Sequence, residues 1–145
     1  MKIPEEVSLA MYRHAGVNRA DLHEVLNHMG PRYLKGTFRE QWYASGVPTR
    51  NFCYVVSEWL IHYVAPKGSF AFRVAVPGED AKHYFVRWAD GTLIDLTAEQ
   101  FEDWELVDYA SAKKASFMYP SPSNRTKVLD SMMSVQKALF AGKKA

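Results

Sequence analysis

The sequence predicts an α+β fold built as a single domain. The first half carries helix-spaced apolar residues, whereas the strand-like runs follow one another between residues 70 and 97, and this segregation is typical of α+β proteins. An Asp90-Gly91 pair separates two of these runs and indicates a hairpin, hence a small antiparallel β-sheet. With 145 residues, of which 48% are hydrophobic, the chain is long enough for one compact core.

Two helices are predicted in the N-terminal part, residues 1–31. The first covers residues 4–15 and ends at Gly16, a residue type that is common after a helix. The second is capped by Asn18 and is expected to stop at Gly30-Pro31, because proline interrupts a continuing helix. Its buried stripe is formed by residues at the i, i+3, i+4, i+7 spacing, namely Leu22, Val25, Leu26 and Met29.

A connector and a central helix are predicted for residues 32–66. The connector, residues 32–47, is rich in aromatic residues and is expected to be ordered but irregular, since aromatic side chains need burial. The helix is predicted to begin near residue 50, with Thr49 or Asn51 as its cap. An unbroken apolar stripe places this helix at the centre of the core: Phe52, Val55, Val56, Trp59, Leu60 and Tyr63.

Residues 67–120 are predicted to form the antiparallel sheet, and residues 121–145 a C-terminal helix with a basic tail. The predicted strands are 70–76, 83–88 and 92–97. Segment 98–109 is ambiguous and is interpreted as a short helical turn followed by a further strand. The last helix is expected over residues 123–140, with one apolar face that includes Val128, Leu129, Met132, Gln136 and Leu139.

Charge and hydropathy exclude several classes of partner. The net charge is only +2, from 18 basic and 16 acidic residues, which is too balanced for a nucleic-acid binder. No apolar run approaches the roughly 18 residues that a membrane span needs. The N-terminal sequence lacks the features of a signal peptide. We therefore expect a cytoplasmic protein, in a reducing compartment where a lone thiol stays free.

Cys53 is the only cysteine, and its position suggests two different roles. It lies about 90° from the centre of the apolar stripe of its helix, at the border where a side chain can reach a cleft. It also falls in the first turn, where the unpaired N–H groups and the helix dipole favour the reactive thiolate. The alternative is that Cys53 is an inert core residue, which is common for free cysteines.

A nucleophilic cysteine needs a base, and the base needs an orienting group. Among the five histidines, His83 opens a predicted strand, and Asp95 lies in the strand predicted to pair with it. His62 is too far along the Cys53 helix, by about 13 Å of rise. Asp95 stands between two apolar residues of a strand, a position that disfavours aspartate unless it has a partner.

The register of the hairpin decides whether His83 and Asp95 can meet, and the sequence allows two registers. If Asp90-Gly91 is a two-residue turn, Val86 faces Asp95 and the two side chains project on opposite sides of the sheet. If Ala89-Asp90-Gly91 is a three-residue loop closed by a glycine in the left-handed region, Asp95 faces Phe85 and His83 is its diagonal neighbour on the same face. Only the second register permits a Cys-His-Asp triad.

These residues resemble a known superfamily. A cysteine at the start of a buried helix, then a strand histidine, then an aspartate one hairpin later, resembles the chain order of papain-like and transglutaminase-like cysteine enzymes. Residues 47–130 look more closely like the small YunG-like proteins of bacteria and phages. The segments that carry the likeness are Pro48-Thr49, Cys53, His83, Asp90-Gly91-Thr92, Asp95-Leu96-Thr97 and Pro122-Ser123-Asn124-Arg125.

The resemblance implies a papain-like or transglutaminase-like fold, in which the N-terminal helices and the Cys53 helix pack on the sheet. It implies Cys53 as nucleophile, His83 as general base and Asp95 as orienter. An oxyanion donor upstream of the cysteine is common in such enzymes, and Gln41 is a candidate, although the backbone N–H of Cys53 is the preferred one.

Further residues are weighed beside the predicted triad. Asn51 and Arg125 are candidate binding residues, and for Arg125 we favour an ion pair with an acidic residue of the sheet. Glu58 is expected on the surface or behind the site. No metal site is predicted, because no Cys-x-x-Cys or His-x-x-x-His spacing exists, and no cofactor is expected.

Two functions from different classes remain open at this stage. The first is a thiol hydrolase or acyltransferase acting on an amide, isopeptide or thioester of a small molecule, peptide or protein. The second is a non-catalytic interaction module on the same fold, for example a phage accessory protein, with a buried thiol and an exposed apolar patch. The sequence leaves the oligomeric state undetermined.

Overall fold

The computed structural model describes residues 1–116 and 120–144, with side chains up to residue 139. Its described part contains five α-helices and one four-stranded sheet. The helices are α1 (Glu5–Ala15), α2 (Arg19–Tyr33), α3 (Gly36–Ser45), α4 (Cys53–Trp59) and α5 (Asn124–Lys144). The strands are β1 (Phe70–Val74), β2 (His83–Arg87), β3 (Leu93–Ile94) and β4 (Lys113–Lys114).

The sheet is antiparallel throughout and has the order β3-β2-β1-β4. Helix α4 packs against β2 and against α5, while α1 packs against β3. The two faces of β2 serve different clusters, since Val86 joins the core shared with the helices and Phe85 joins a smaller cluster on the other face. The predicted α+β class, with helices on a small antiparallel sheet, is confirmed.

The apolar stripe of α4 forms the centre of the core as predicted, with one exception. Five of its six residues are buried, whereas Tyr63 is 43% exposed. The chain changes from α-helix to a π-helical turn at Leu60–Val64. Because a π turn holds more residues than an α turn, positions beyond it no longer follow the α-helical period.

The predicted irregular connector is wrong, because most of it forms helix α3. This helix begins at Gly36 and is followed by Gly46, and both glycines have positive φ angles, of 55° and 67°. Trp42 is its buried residue and lies over Gly30 of α2. A single buried anchor gives no repeating apolar pattern, so the periodicity of the sequence could not indicate this helix.

The predicted ends of two other helices also differ from the structure. Helix α2 runs past Pro31 to Tyr33, and Leu34 N–H still donates to Gly30 O at 3.2 Å. A proline in the last turn removes one hydrogen bond without preventing that final turn. Helix α4 begins at Cys53 rather than near residue 50, and neither predicted cap, Thr49 nor Asn51, caps it.

The chain after the hairpin contains 3-10 turns in place of the predicted strand. The expected helical turn is present at Ala98–Gln100, but two further 3-10 turns follow at Trp104–Leu106 and Tyr109–Ser111. The free edge of β1 is paired instead by Lys113–Lys114. The part of the predicted sheet segment at residues 117–119 lies outside the described residues.

The last helix starts where predicted and is longer than expected. It runs over Asn124–Lys144 instead of stopping near residue 140. Leu129 of this helix is fully buried, but Leu139, predicted on the same face, is 57% exposed. The side chains of the predicted basic tail lie outside the described residues. None of the helices that the structure describes has the length and apolarity to cross a bilayer.

Candidate active site

The hairpin adopts the three-residue loop, which brings His83 and Asp95 to one face. Trp88 N–H donates to Thr92 O at 2.9 Å, and the pairing continues through Val86 opposite Ile94. Gly91 closes the loop with a φ of 86°, a conformation that favours glycine. The side chain of Asp90 accepts from Thr92 N–H at 2.9 Å and so stabilises this loop.

His83 and Asp95 form a buried pair. His83 Nε2 lies 2.6 Å from Asp95 Oδ2, and the two side chains are only 2% and 1% exposed. Phe101 packs edge-on against the imidazole, with ring centroids 4.7 Å apart. A short contact at such depth holds the imidazole in one orientation and fixes which of its nitrogens is available to a further group.

Asp95 receives hydrogen bonds at both carboxylate oxygens. Tyr109 donates its hydroxyl to Oδ2 at 2.6 Å, and that hydroxyl accepts from Trp104 Nε1–H at 2.9 Å. Thr97 donates its backbone N–H to Oδ1 at 3.3 Å and its hydroxyl at 3.4 Å. Burial and the charge of Asp95 raise the pKa of Tyr109, so its hydroxyl remains a donor. The aspartate is therefore well supplied with hydrogen-bond donors.

The charges around His83 favour the imidazolium form. Burial lowers the pKa of the imidazole, but the charge of Asp95 and the hydrogen bond to it outweigh burial. The thiol of Cys53 adds to the rise, which brings the pKa of His83 from 6.5 to about 10. Since Nε2 is occupied by Asp95, the nitrogen left for a further group is Nδ1, which is buried and has no hydrogen-bond partner among the described residues.

Cys53 is half-buried at the first position of α4. Its sulfur also lies 4.0 Å from the backbone oxygen of Lys82, the residue before His83. The packing of α4 on β2 is what brings the first turn of the helix to the start of the strand. The structure thus brings together the three predicted residues, since His83 contacts Asp95 and lines the same pocket as Cys53.

A cleft opens above the thiol and the imidazole. It is small, with a cavity volume of about 50 Å³, and it is partly open to solvent. Its walls come from α3, from the start of α4, from the loop before β2 and from the 3-10 turn after the hairpin, and include Gln41, Asn51, Cys53, His83, Gln100 and Phe101. A small molecule or the end of a peptide could therefore reach the sulfur.

Gln41 lies in this cleft, but Asn51 has a different role from the one predicted. Asn51 Nδ2 donates to Gln41 Oε1 at 3.0 Å and to Phe38 O at 2.9 Å. Because both hydrogens of Nδ2 are used in these contacts, Asn51 holds α3 in place, and Oδ1 is the side-chain atom left for a ligand. Gln41 accepts through Oε1, so its NH₂ group is not used in this contact.

One further prediction, for Arg125, is wrong, and for Glu58 the structure excludes one of two predicted positions. Arg125 is exposed and, within residues 1–116 and 120–139, pairs with no acidic side chain of the sheet; it borders a separate hollow with Arg32 and Lys35. Glu58 is buried and not on the surface, and it accepts from Ser123 N–H at 2.7 Å, just before α5. Burial raises the pKa of Glu58, but hydrogen bonds from Ser123 and Thr126 outweigh this effect and lower it.

Sequence reasoning missed three residues around the predicted triad. Thr97 follows Asp95 by two positions, and its local hydrogen bonds are of the kind that an Asp-x-Thr sequence can form, so a signal existed. Tyr109 and Gln100 had no such signal, because their segment forms 3-10 turns whose course depends on tertiary packing.

The chain was also compared with known proteins. A search of protein-family models, of curated proteins and of solved structures found no significant match. The YunG-like and papain-like assignments therefore stay predictions, and inferences about function depend on the contacts of the chain's own residues.

Proposed function

We propose that the protein is a thiol-dependent hydrolase or acyltransferase with Cys53 as nucleophile, His83 as general acid and base, and Asp95 as the group that orients the imidazole. The observation that carries this proposal is the buried 2.6 Å contact between His83 and Asp95, beside a cleft that His83 lines together with Cys53, the only cysteine of the chain. We also propose that the arrangement belongs to a papain-like or transglutaminase-like fold, since the order of the three residues along the chain agrees with it.

The proposed reaction begins at the carbonyl carbon of an amide, isopeptide or thioester. The sulfur of Cys53 forms a bond to this carbon, and the π electron pair moves to the oxygen. When the tetrahedral intermediate collapses, the bond to the leaving group breaks, and the His83 imidazolium donates the proton that the leaving amine or thiol needs. The product of this half is an acyl-enzyme thioester.

The second half returns the enzyme to its starting state. His83, now neutral, takes a proton from water or from an acceptor amine, which attacks the thioester carbon. The carbon–sulfur bond breaks and the electron pair returns to the sulfur of Cys53. Water as acceptor makes the protein a hydrolase, and an amine makes it an acyltransferase. Because the free thiol must persist, we place this activity in a reducing compartment such as the cytoplasm.

The test of the triad is the alkylation of Cys53 by iodoacetamide as a function of pH, followed by mass spectrometry. We expect the wild type to react readily near pH 6, because the imidazolium stabilises the thiolate, and His83→Ala to need a pH above about 8. Asp95→Asn should fall between the two. His14→Ala serves as control, since His14 also pairs with an aspartate, Asp90, at an exposed position.

Equal, slow alkylation of the wild type and His83→Ala would identify Cys53 as a structural residue. The non-catalytic module would then be the better explanation. The observation that favours such a module is the exposure of two aromatic residues of α3, since Phe38 and Tyr43 are 47% and 60% exposed.

A further inference from the structure

Asn51 has an unusual backbone beside the cleft. It precedes Cys53 by two residues, and its φ is 65°, which makes it the one residue other than glycine with a positive φ in the described ranges. Asparagine tolerates this left-handed region better than most residues, but the conformation is still unfavourable and has to be held by surrounding contacts. Such conformations often occur where a site needs a particular geometry.

The conformation of Asn51 lets one residue hold two carboxamides. Its backbone N–H donates to Gln100 Oε1 at 3.2 Å, and its side-chain Nδ2 donates to Gln41 Oε1 at 3.0 Å. Both glutamines therefore turn their oxygens toward Asn51. A carboxamide whose oxygen is fixed in this way has its NH₂ group on the opposite side.

The NH₂ group of Gln100 stands out among the buried polar groups. Gln100 is only 6% exposed, and its Nε2 has no hydrogen-bond partner in the parts of the chain that the structure describes. A buried donor without a partner is unfavourable, and in native proteins it often marks a functional group. Gln100 lines the same cleft as Cys53, His83 and Gln41.

We propose that Gln100 is a catalytic residue that donates its Nε2–H to the acyl oxygen of the substrate, beside Gln41, and that Asn51 is the positioning residue for both. This inference rests on the proposed function, because it concerns the same thiol. In this proposal the two NH₂ groups donate to one oxygen and stabilise the negative charge that develops as the carbonyl becomes tetrahedral. They also restrict the substrate to compounds with a carbonyl oxygen at the reacting carbon.

An aldehyde tests this geometry without knowledge of the natural substrate. With [1-¹³C]acetaldehyde, the sulfur of Cys53 forms a bond to the carbonyl carbon, the π pair moves to the oxygen, and the proton held by His83 passes to that oxygen. The product is a thiohemiacetal, whose ¹³C signal is separate from those of the aldehyde and its hydrate. Its oxygen stands for the acyl oxygen to which Gln100 and Gln41 are proposed to donate.

The experiment measures the acetaldehyde Kd by ¹³C NMR for the wild type, Gln100→Met and Gln100→Glu. Methionine removes the donor, whereas glutamate keeps an oxygen for Asn51 N–H and puts a second oxygen in place of the NH₂ group. We expect the Kd to rise about tenfold in both variants, since the adduct's oxygen loses a hydrogen-bond donor in a buried site. Gln136→Met is the matched control, as Gln136 lies on α5 and borders no part of the cleft.

A second reagent separates this inference from the proposed function. Methyl methanethiosulfonate reacts with a thiolate without any carbonyl oxygen, so its rate should change much less than the aldehyde Kd in the Gln100 variants. A wild type that forms the adduct with a Kd unchanged by Gln100→Glu would overturn the role of Gln100 alone. A wild type that forms no adduct and reacts with the thiosulfonate no faster than glutathione would overturn the proposed function, and this inference with it.

The positioning role of Asn51 has its own pair of variants. Asn51→Gly accepts the positive φ and keeps the backbone N–H for Gln100, but it loses the contact to Gln41. Asn51→Asp replaces the Nδ2 donor by an oxygen that repels Gln41 Oε1. We expect a smaller rise in Kd for Asn51→Gly than for Asn51→Asp, with the pH profile of thiol alkylation unchanged in the glycine variant. Equal Kd values for both variants and the wild type would contradict the role.

Discussion

The side chain of Asp95 accepts several hydrogen bonds at once. Its carboxylate accepts from an imidazole, a phenol, a hydroxyl and a backbone N–H, and it does so at 1% exposure. A buried carboxylate is tolerated only when donors replace the water that it loses. At the scale of single residues, the site is therefore a buried charge surrounded by its donors.

Tyr109→Phe tests the contribution of the phenol to this arrangement. The variant removes the donor to Asp95 and leaves Trp104 Nε1–H without its acceptor. We expect a loss of about 1–3 kcal/mol in the free energy of unfolding, measured with urea. Tyr43→Phe is the matched control, because Tyr43 is 60% exposed, and should change stability by less than about 0.5 kcal/mol. A Tyr109→Phe protein as stable as this control would contradict the contribution.

The raised pKa of His83 predicts a dependence of stability on pH. The folded protein holds a proton on His83 up to about pH 10, whereas the unfolded chain releases it near pH 6.5. The stabilisation is thus complete below about pH 6.5 and is lost as the pH rises toward 10. Its upper limit is about 5 kcal/mol, since each pKa unit corresponds to about 1.4 kcal/mol.

The comparison with Asp95→Asn isolates this effect from other titrating groups. We expect the wild type to be more stable than the variant at pH 6, and the difference to shrink steadily at pH 8 and pH 10 in urea unfolding. A difference that stays constant over this range would show that the pair carries no charge in the folded protein.

At the scale of elements, the position of α3 depends on a close approach to α2. A Cβ atom added to Gly30 would lie 2.5 Å from the ring of Trp42, which is closer than atoms can pack. Trp42 is the buried anchor of α3, and it also donates from Nε1 to Pro48 O at 3.0 Å. The glycine is therefore required by space rather than by backbone conformation.

Gly30→Ala is expected to destabilise the protein although alanine is the better helix former. The clash should cost about 1–3 kcal/mol, which exceeds the propensity gain of up to about 1 kcal/mol. Because α3 carries Gln41, the same variant should weaken aldehyde binding. In a Trp42→Leu background, which lacks the indole ring, Gly30→Ala should lower the free energy of unfolding by less than it does in the wild type. Urea unfolding of the four proteins gives the interaction energy, and an energy near zero would contradict the clash.

The elements that the sequence predicted correctly are those with a repeating pattern or a specific turn residue. The stripe around Val55 and Val56 located the central helix, and Asp90-Gly91 located the hairpin. Helix α3 could not be found in this way, because it buries one tryptophan. The hairpin register was left open because Asp-Gly suits both loops, and it is the side chain of Asp90, bonded to Thr92 N–H, that favours the longer one.

At the scale of the whole molecule, the α+β class followed from the order of helices and strands, and the structure agrees with it. The candidate triad could be named from the sequence. Cys53 and His83 fall at the starts of predicted elements, and Asp95 falls in a predicted strand, where aspartate is unfavourable without a partner. Tyr109 and Gln100 could not be named in this way, since they reach the site only through the tertiary packing of 3-10 turns. Asn51 could be named as a binding candidate, but neither its positive φ nor its contacts to two glutamines could be predicted.

The triad is drawn from two parts of the chain that can form at different times during folding. His83 and Asp95 are 12 residues apart within one hairpin, whereas Cys53 belongs to α4, 30 residues earlier. The hairpin can pair locally, but the thiol reaches the imidazole only after the helices have docked on the sheet. If Cys53 is activated as proposed, the onset of its fast alkylation during refolding therefore reports when the helices dock, and this single native thiol makes an introduced probe residue unnecessary.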